Sequence, residues 1–208
     1  MRLSGSALAC VRSGREVFAG IAFTVAAGEA LLVLGRNGAG KSSLLRMIAG
    51  LVRIAAGRLD LAGGDPDLTL GEQAHYVGHQ DAVKGALTVK ENLAFWARYL
   101  GGAADDVTLG TALEAMGLVP LADLPAAYLS AGQKRRLSLA RLVAVARPIW
   151  LLDEPTSALD AASQDRLASL MRRHLEKRGI ILVATHGPLG LQGAMELRLD
   201  AAMPGAVP

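Results

Sequence analysis

The stretch Ala30-Leu31-Leu32-Val33-Leu34-Gly35-Arg36-Asn37-Gly38-Ala39-Gly40-Lys41-Ser42-Ser43 decides the fold, because an apolar run, a glycine-rich loop and a helical pattern follow one another without a break. Residues 30 to 34 read as a strand covered on both faces. Residues 35 to 42 fit the pattern G-x-x-x-x-G-K-S/T in the context that pattern requires. Beyond them Leu44, Leu45, Met47 and Ile48 give an apolar helical face, and Gly50 stands where the helix should end. The glycines let the backbone curl so that successive N–H groups point inward at phosphate oxygens, and the helix N-terminus adds partial positive charge. Lys41 then reaches the β- and γ-phosphates, and Ser42 offers a hydroxyl to Mg²⁺, a hard cation that takes few protein ligands. Gly35, Arg36, Asn37, Gly38, Ala39, Gly40, Lys41, Ser42 and Ser43 are the candidate nucleotide-binding set.

A second apolar run, Pro148-Ile149-Trp150-Leu151-Leu152-Asp153-Glu154-Pro155, ends in two carboxylates. Asp153 is the candidate second metal ligand, and Glu154 the group that polarises or positions an attacking water. Between the loop and this strand lies Leu129-Ser130-Ala131-Gly132-Gln133. Ser130 and Gln133 stand three apart ahead of Leu137, Ala140 and Ala144, a capping-box arrangement that opens a helix. Lys134, Arg135 and Arg136 occupy its first turn, where cations oppose the helix dipole. Either a nearby anion relieves that conflict or the three form a solvated basic face.

These runs, with Ser157-Ala158-Leu159-Asp160 and with His186 after the strand-like 180–184, resemble the ATP-binding subunits of ABC transporters over nearly the whole chain. The resemblance implies an α/β fold: a P-loop nucleotide hydrolase core with a mixed or parallel sheet, a small antiparallel β part and a helical subdomain. It implies ATP and Mg²⁺ as cofactors and two chains associated head to tail, so that Ser130, Ala131, Gly132 and Gln133 of one cover the γ-phosphate held by Lys41 of the other. The usual signature has glycine where this chain has Ala131. Gln80 corresponds to a glutamine that touches Mg²⁺ and the attacking water and links them to a membrane partner. Asp160 corresponds to an aspartate that crosses the dimer interface, and it is equally well placed to cap the helix that follows. His186 corresponds to a histidine on the γ-phosphate. Arg12 falls where the family stacks adenine on an aromatic, and Phe18 is the only aromatic nearby; a guanidinium can stack on a base.

Within the family, Tyr76-Val77-Gly78-His79-Gln80-Asp81-Ala82-Val83-Lys84, Leu87 to Leu93 and the run LSAGQKRRLSLARL are similar to the cytochrome c biogenesis branch, whose members are haem exporter ATPases. That similarity implies integral membrane subunits of the cytochrome c maturation system as partners, and a peripheral place on the cytoplasmic face of the bacterial inner membrane. Hydrolysis in such a complex either exports haem or resets the membrane subunits so that a haem chaperone is released. Another small ABC exporter, and a soluble ABC ATPase acting on ribosomes or DNA ends, are the remaining readings.

A chain of 208 residues with 51% hydrophobic content is expected to be one domain, with lobes at about 1–82 plus 147–208 and a helical lobe at about 83–146 carrying the signature. Net charge is +3 with aromatics at only 4%, the cations are scattered, and nucleic-acid binding is not indicated. One cysteine, Cys10, excludes an intrachain disulfide framework. No apolar run approaches the roughly 18 residues of a membrane span. Thr88 and Glu91 form a second capping box, ahead of Val89, Leu93, Trp96 and Leu100 on one helix face. His75 and His79 share a strand face, but a separation of about 13 Å along a strand excludes easy shared metal or haem ligation. The tail from Ala201 is expected to fray.

Overall fold

In the computed structural model, which describes residues 1–185 and 189–199, five strands form a parallel sheet. They are β3 (Ala30–Leu34), β5 (Ala74–Val77), β6 (Ile149–Asp153), β7 (Ile180–Ala184) and β8 (Met195–Arg198), in the spatial order β5-β6-β7-β3-β8. Every neighbouring pair is parallel, so the core sheet is parallel and not mixed. Every residue of β6 and β7 is buried, which explains why these strands read as unbroken apolar runs.

The two-residue period of a strand divides the side chains between two cores. Leu31, Val33, Ile149, Leu151, Ile180 and Leu182 face one cluster, with α1 (Lys41–Ile48) and the antiparallel sheet. Trp150, Leu152, Ile181 and Val183 face the other. There they meet α2 (Val89–Tyr99), α3 (Asp106–Ala115), α4 (Ala131–Ala144) and α5 (Ala161–Glu176).

The antiparallel sheet, in the order β2-β1-β4, comprises β1 (Arg2–Arg12), β2 (Arg15–Ala26) and β4 (Ala56–Ala62). Ser13 and Gly14, at φ 49° and 76°, make the two-residue turn between β1 and β2. Positive φ at both positions suits the natural twist of a hairpin, and Arg12 is thereby paired with Arg15 at its tip.

The expected helix starts are present. Thr88 Oγ1 accepts from the Glu91 amide at 3.1 Å while Glu91 Oε2 accepts from the Thr88 amide at 2.8 Å. Val89 and Leu93 are fully buried below that cap, whereas Trp96 and Leu100 are half-buried. At the end of α1 the cap is Ala49, and Gly50 follows at φ 75°.

All five parallel strands end on the same edge. The loop after β3 and the loop after β6 therefore meet there, the usual position of a ligand crevice in an open α/β sheet.

Candidate functional site

The glycine-rich loop leaves β3 and enters α1 through Gly40, which has φ 98°. A Cβ at Gly40 would lie 2.6 Å from Val17 Cγ1 and 2.8 Å from Phe18 Cδ1, so glycine is required both by the backbone turn and by the approach of β2. Lys41 opens α1 and is 7% exposed. Its Nζ curls back over its own loop, donating to Gly35 O at 2.7 Å and Arg36 O at 3.4 Å.

Ser42 Oγ donates to Asp153 Oδ1 at 3.0 Å, which brings together two residues 111 apart in sequence. Asp153 is 2% exposed, and its other oxygen accepts from Tyr76 OH at 3.3 Å. The Tyr76 hydroxyl in turn accepts from Arg46 Nε at 2.9 Å. Burial pushes the Tyr76 phenol up, and the hydrogen bond to Tyr76 raises Arg46. Arg46 lies four residues beyond Ser42 on α1, so both belong to one helix face.

Glu154 follows Asp153 at φ 49°, a left-handed conformation disfavoured for a residue with a Cβ. Its amide donates to Ala184 O at 2.9 Å. Arg12, Val17, Arg36, Asn37, Gly38, Gly40, Lys41, Ser42, Ser43, His79, Asp153, Glu154 and Ser157 line one cleft of about 690 Å³. Three cations and two carboxylates thus surround a space large enough for a nucleotide. Oxygen donors at Ser42 and Asp153 suit a hard cation such as Mg²⁺.

Arg12 reaches this cleft from the tip of the β1–β2 hairpin. Phe18 does not, because it is 1% exposed in the core beneath Gly40; Val17 is its neighbour on the opposite strand face and lines the cleft instead. Gln80 is exposed on the loop after β5, immediately after His79. Asp160 caps α5, accepting from the Ser163 amide at 2.8 Å, and the bonds to Ser163 hold its carboxyl below the ordinary value. His186 and the tail from Ala201 lie outside the described residues.

The signature residues stand elsewhere on the chain. Ser130 and Ala131 are exposed at the N-terminal end of α4. The capping box is formed: Ser130 Oγ accepts from the Gln133 amide at 3.2 Å and Gln133 Oε1 accepts from the Ser130 amide at 2.8 Å. Gly132 packs under the loop after β6, where a Cβ would come within 2.7 Å of Ala158 O.

In the charged first turn of α4, Arg135 and Arg136 find their partners within the chain. Arg135 is 2% exposed and hydrogen-bonded within the chain. Arg136 Nη1 donates to Met116 O at 3.0 Å and Gly117 O at 3.2 Å, at the C-terminal end of α3, where partial negative charge attracts a cation. Carbonyl oxygens, and for Arg135 the Asp81 carboxylate that accepts from Nη1 at 3.2 Å, offset the conflict of these two cations with the α4 dipole. His75 is likewise a core residue, 3% exposed, with Nε2 at 2.7 Å from Val145 O.

Sequence reasoning missed His79, Ser157, Val17, Tyr76 and Arg46 as part of this constellation. Arg46 carried a usable signal in its spacing from Ser42. His79, Val17 and Ser157 adjoin or belong to segments already singled out, beside Gln80, beside Phe18 and in the Ser157–Asp160 run, whereas Tyr76 enters through the pairing of β5 with β6 and left no local mark.

Residues 18–157 match the sequence pattern of the ABC transporter family. Over 202 residues the chain is 59% identical to the cytochrome c biogenesis ATP-binding export protein CcmA of Rhodopseudomonas palustris (strain BisB5), covering 97% of this chain and 100% of that one. The protein of the same name from Nitrobacter winogradskyi is 60% identical over 202 residues, with the same two coverages, 97% and 100%. Among solved structures, an ABC transporter ATP-binding protein from Pyrococcus furiosus superposes with a TM-score of 0.82 at 22% identity, covering 96% of this chain and 98% of that one. At that identity the likeness is one of fold.

Proposed function

Because the chain belongs to the ABC transporter family of ATP-binding proteins, we propose that it is the ATP-hydrolysing subunit of the haem exporter complex of cytochrome c biogenesis. The observation that carries the chemistry is the convergence of Lys41, Ser42, Asp153 and Glu154 on one cleft at the carboxyl edge of the sheet. Identity of 59% along 97% of the chain supports the assignment to the cytochrome c branch.

In this reading the loop amides and Lys41 hold the triphosphate, with the Lys41 ammonium leaving Gly35 O for phosphate oxygens. Ser42, Asp153 and Gln80 would hold Mg²⁺, which when bound would supply charge neutralisation for the phosphate oxygens. Glu154 accepts the proton of the attacking water or orients it, and His186 steadies the γ-phosphate. Arg12 lies against the base.

Two chains associate head to tail. The exposed N-terminus of α4, with Ser130, Ala131, Gly132 and Gln133, is a ready anion site that faces the nucleotide of the second chain, and Asp160 crosses the interface. The lobes divide at about residues 82/83 and 146/147. Among the described residues no helix is long and apolar enough to cross a membrane, so attachment to the cytoplasmic face of the inner membrane runs through integral partner subunits. Exposed Phe95 and Tyr99 on α2 offer apolar surface for such a partner.

Copurification from detergent-solubilised membranes, with mass spectrometry of the attached proteins and assay of ATP turnover, tests this. Integral subunits of the cytochrome c maturation system should accompany the chain. Recovery with a lipid or drug transporter instead would overturn the branch assignment, and recovery with ribosomes would overturn the transport reading.

A further inference from the structure

We infer that Arg135 is a positioning residue for ATP hydrolysis, clamping the backbone that carries Glu154 to the loop that carries His79 and Gln80. The inference rests on the reading of Glu154 given above. Arg135 lies in the first turns of α4, and all five of its guanidinium N–H donors are used within the chain. Nε donates to Pro155 O at 3.2 Å, and Nη2 donates to Asp153 O at 2.8 Å and Glu154 O at 2.7 Å. Nη1 donates to Gly78 O at 2.7 Å and to Asp81 Oδ1 at 3.2 Å. One buried side chain therefore grips three consecutive carbonyls, from the last residue of β6 onward, and both ends of the segment Gly78 to Asp81.

What that grip does follows from the conformation it holds. Glu154 has φ 49°, which a residue with a Cβ keeps only where its surroundings over-determine it. Its amide is fixed by Ala184 O at 2.9 Å and its carbonyl by Arg135, so the direction in which the carboxylate leaves the backbone depends on both. The same guanidinium fixes the approach of His79 to the cleft. A displacement of α4 relative to the sheet would pull on Asp153, Glu154 and the Gly78–Asp81 loop together. Lysine cannot replace it: its single ammonium has three donors and no planar fork, so it cannot span five acceptors in this arrangement. The Asp81 carboxylate, the charged partner at 3.2 Å, sets the orientation of the fork from the Gly78–Asp81 side.

The test uses the membrane-bound complex and single-turnover hydrolysis, comparing Arg135→Lys and Asp81→Asn with wild type, each also in a Glu154→Gln background. If Arg135 acts through Glu154, Arg135→Lys lowers kcat by about 10- to 100-fold with KM for ATP within about 3-fold, and loses less than about 2-fold further once Glu154 is already glutamine. Asp81→Asn follows the same pattern at smaller size and carries the test should Arg135→Lys fail to fold. A variant kcat equal to wild type, a rise in KM at constant kcat, or the same fold-loss in both backgrounds would overturn the inference, the last because a merely structural staple weakens both alike. A wild-type complex with no ATP turnover would instead overturn the functional reading itself.

Discussion

Glu154 combines a left-handed backbone with a place in the wall of the cleft, and that combination states what removing its charge should do. Glu154→Gln keeps size, cleft shape and the backbone bonds to Ala184 and Arg135. Nucleotide affinity should therefore persist while turnover falls by ~10² to 10⁴, about 3 to 5 kcal/mol in the barrier, the range for loss of a general base. Isothermal calorimetry with ATP and a steady-state assay separate the two, and unchanged hydrolysis rejects the role. That Lys41, Ser42, Asp153 and Glu154 would line one cleft was legible without coordinates, because a glycine-rich turn, a lysine and a carboxylate pair in that order are the pattern expected of a phosphate site. Tyr76 was not, since its bond to Asp153 depends on β5 pairing beside β6.

At the scale of elements, the short strand β5 is tied to the end of α4 by one imidazole. His75 Nε2 lies 2.7 Å from Val145 O, and burial pushes its pKa down to about 4. The folded chain thus keeps His75 neutral to about pH 4, whereas the unfolded chain binds a proton below pH ~6.5. Stability from this group is complete above pH ~6.5 and declines as pH falls toward 4, by about 3 kcal/mol in all. His174, whose pKa burial also lowers, adds a contribution of the same sign. Urea midpoints measured between pH 4 and 7 should show a shallower acid decline for His75→Gln than for wild type. Parallel curves would contradict the account. The helix starts at Thr88 and Ser130 were readable because a capping box is a local contract between residues three apart. The fate of Arg135 and Arg136 was not, because their acceptors lie 18 or more residues away.

For the whole molecule the signature and the phosphate loop stand on separate parts of the chain, and that separation makes a prediction about pairs of chains. Lys41→Ala should abolish nucleotide binding in its own cleft, and Ser130→Arg should block the site it covers in a partner. A mixture of the two variants should recover activity, because one heterodimer site keeps Lys41 from one chain and Ser130 from the other. With heterodimers verified by differential tags, absence of any recovery would mean that each site is completed within a single chain.

By itself the sequence determined the α/β class, the glycine-rich loop between a strand and a helix, the apolar strand that ends in Asp153, and the helix starts. Each rests on short-range chemistry: unbroken apolar strands, backbone freedom at glycine, and caps closed within one turn. Only the tertiary structure decided that all five core strands are parallel, that Val17 and not Phe18 borders the cleft beside Arg12, and that Tyr76 and Arg135 hold the acidic strand end. Those outcomes depend on strand order and on which carbonyls a long side chain meets after burial, and local pattern carries no record of either.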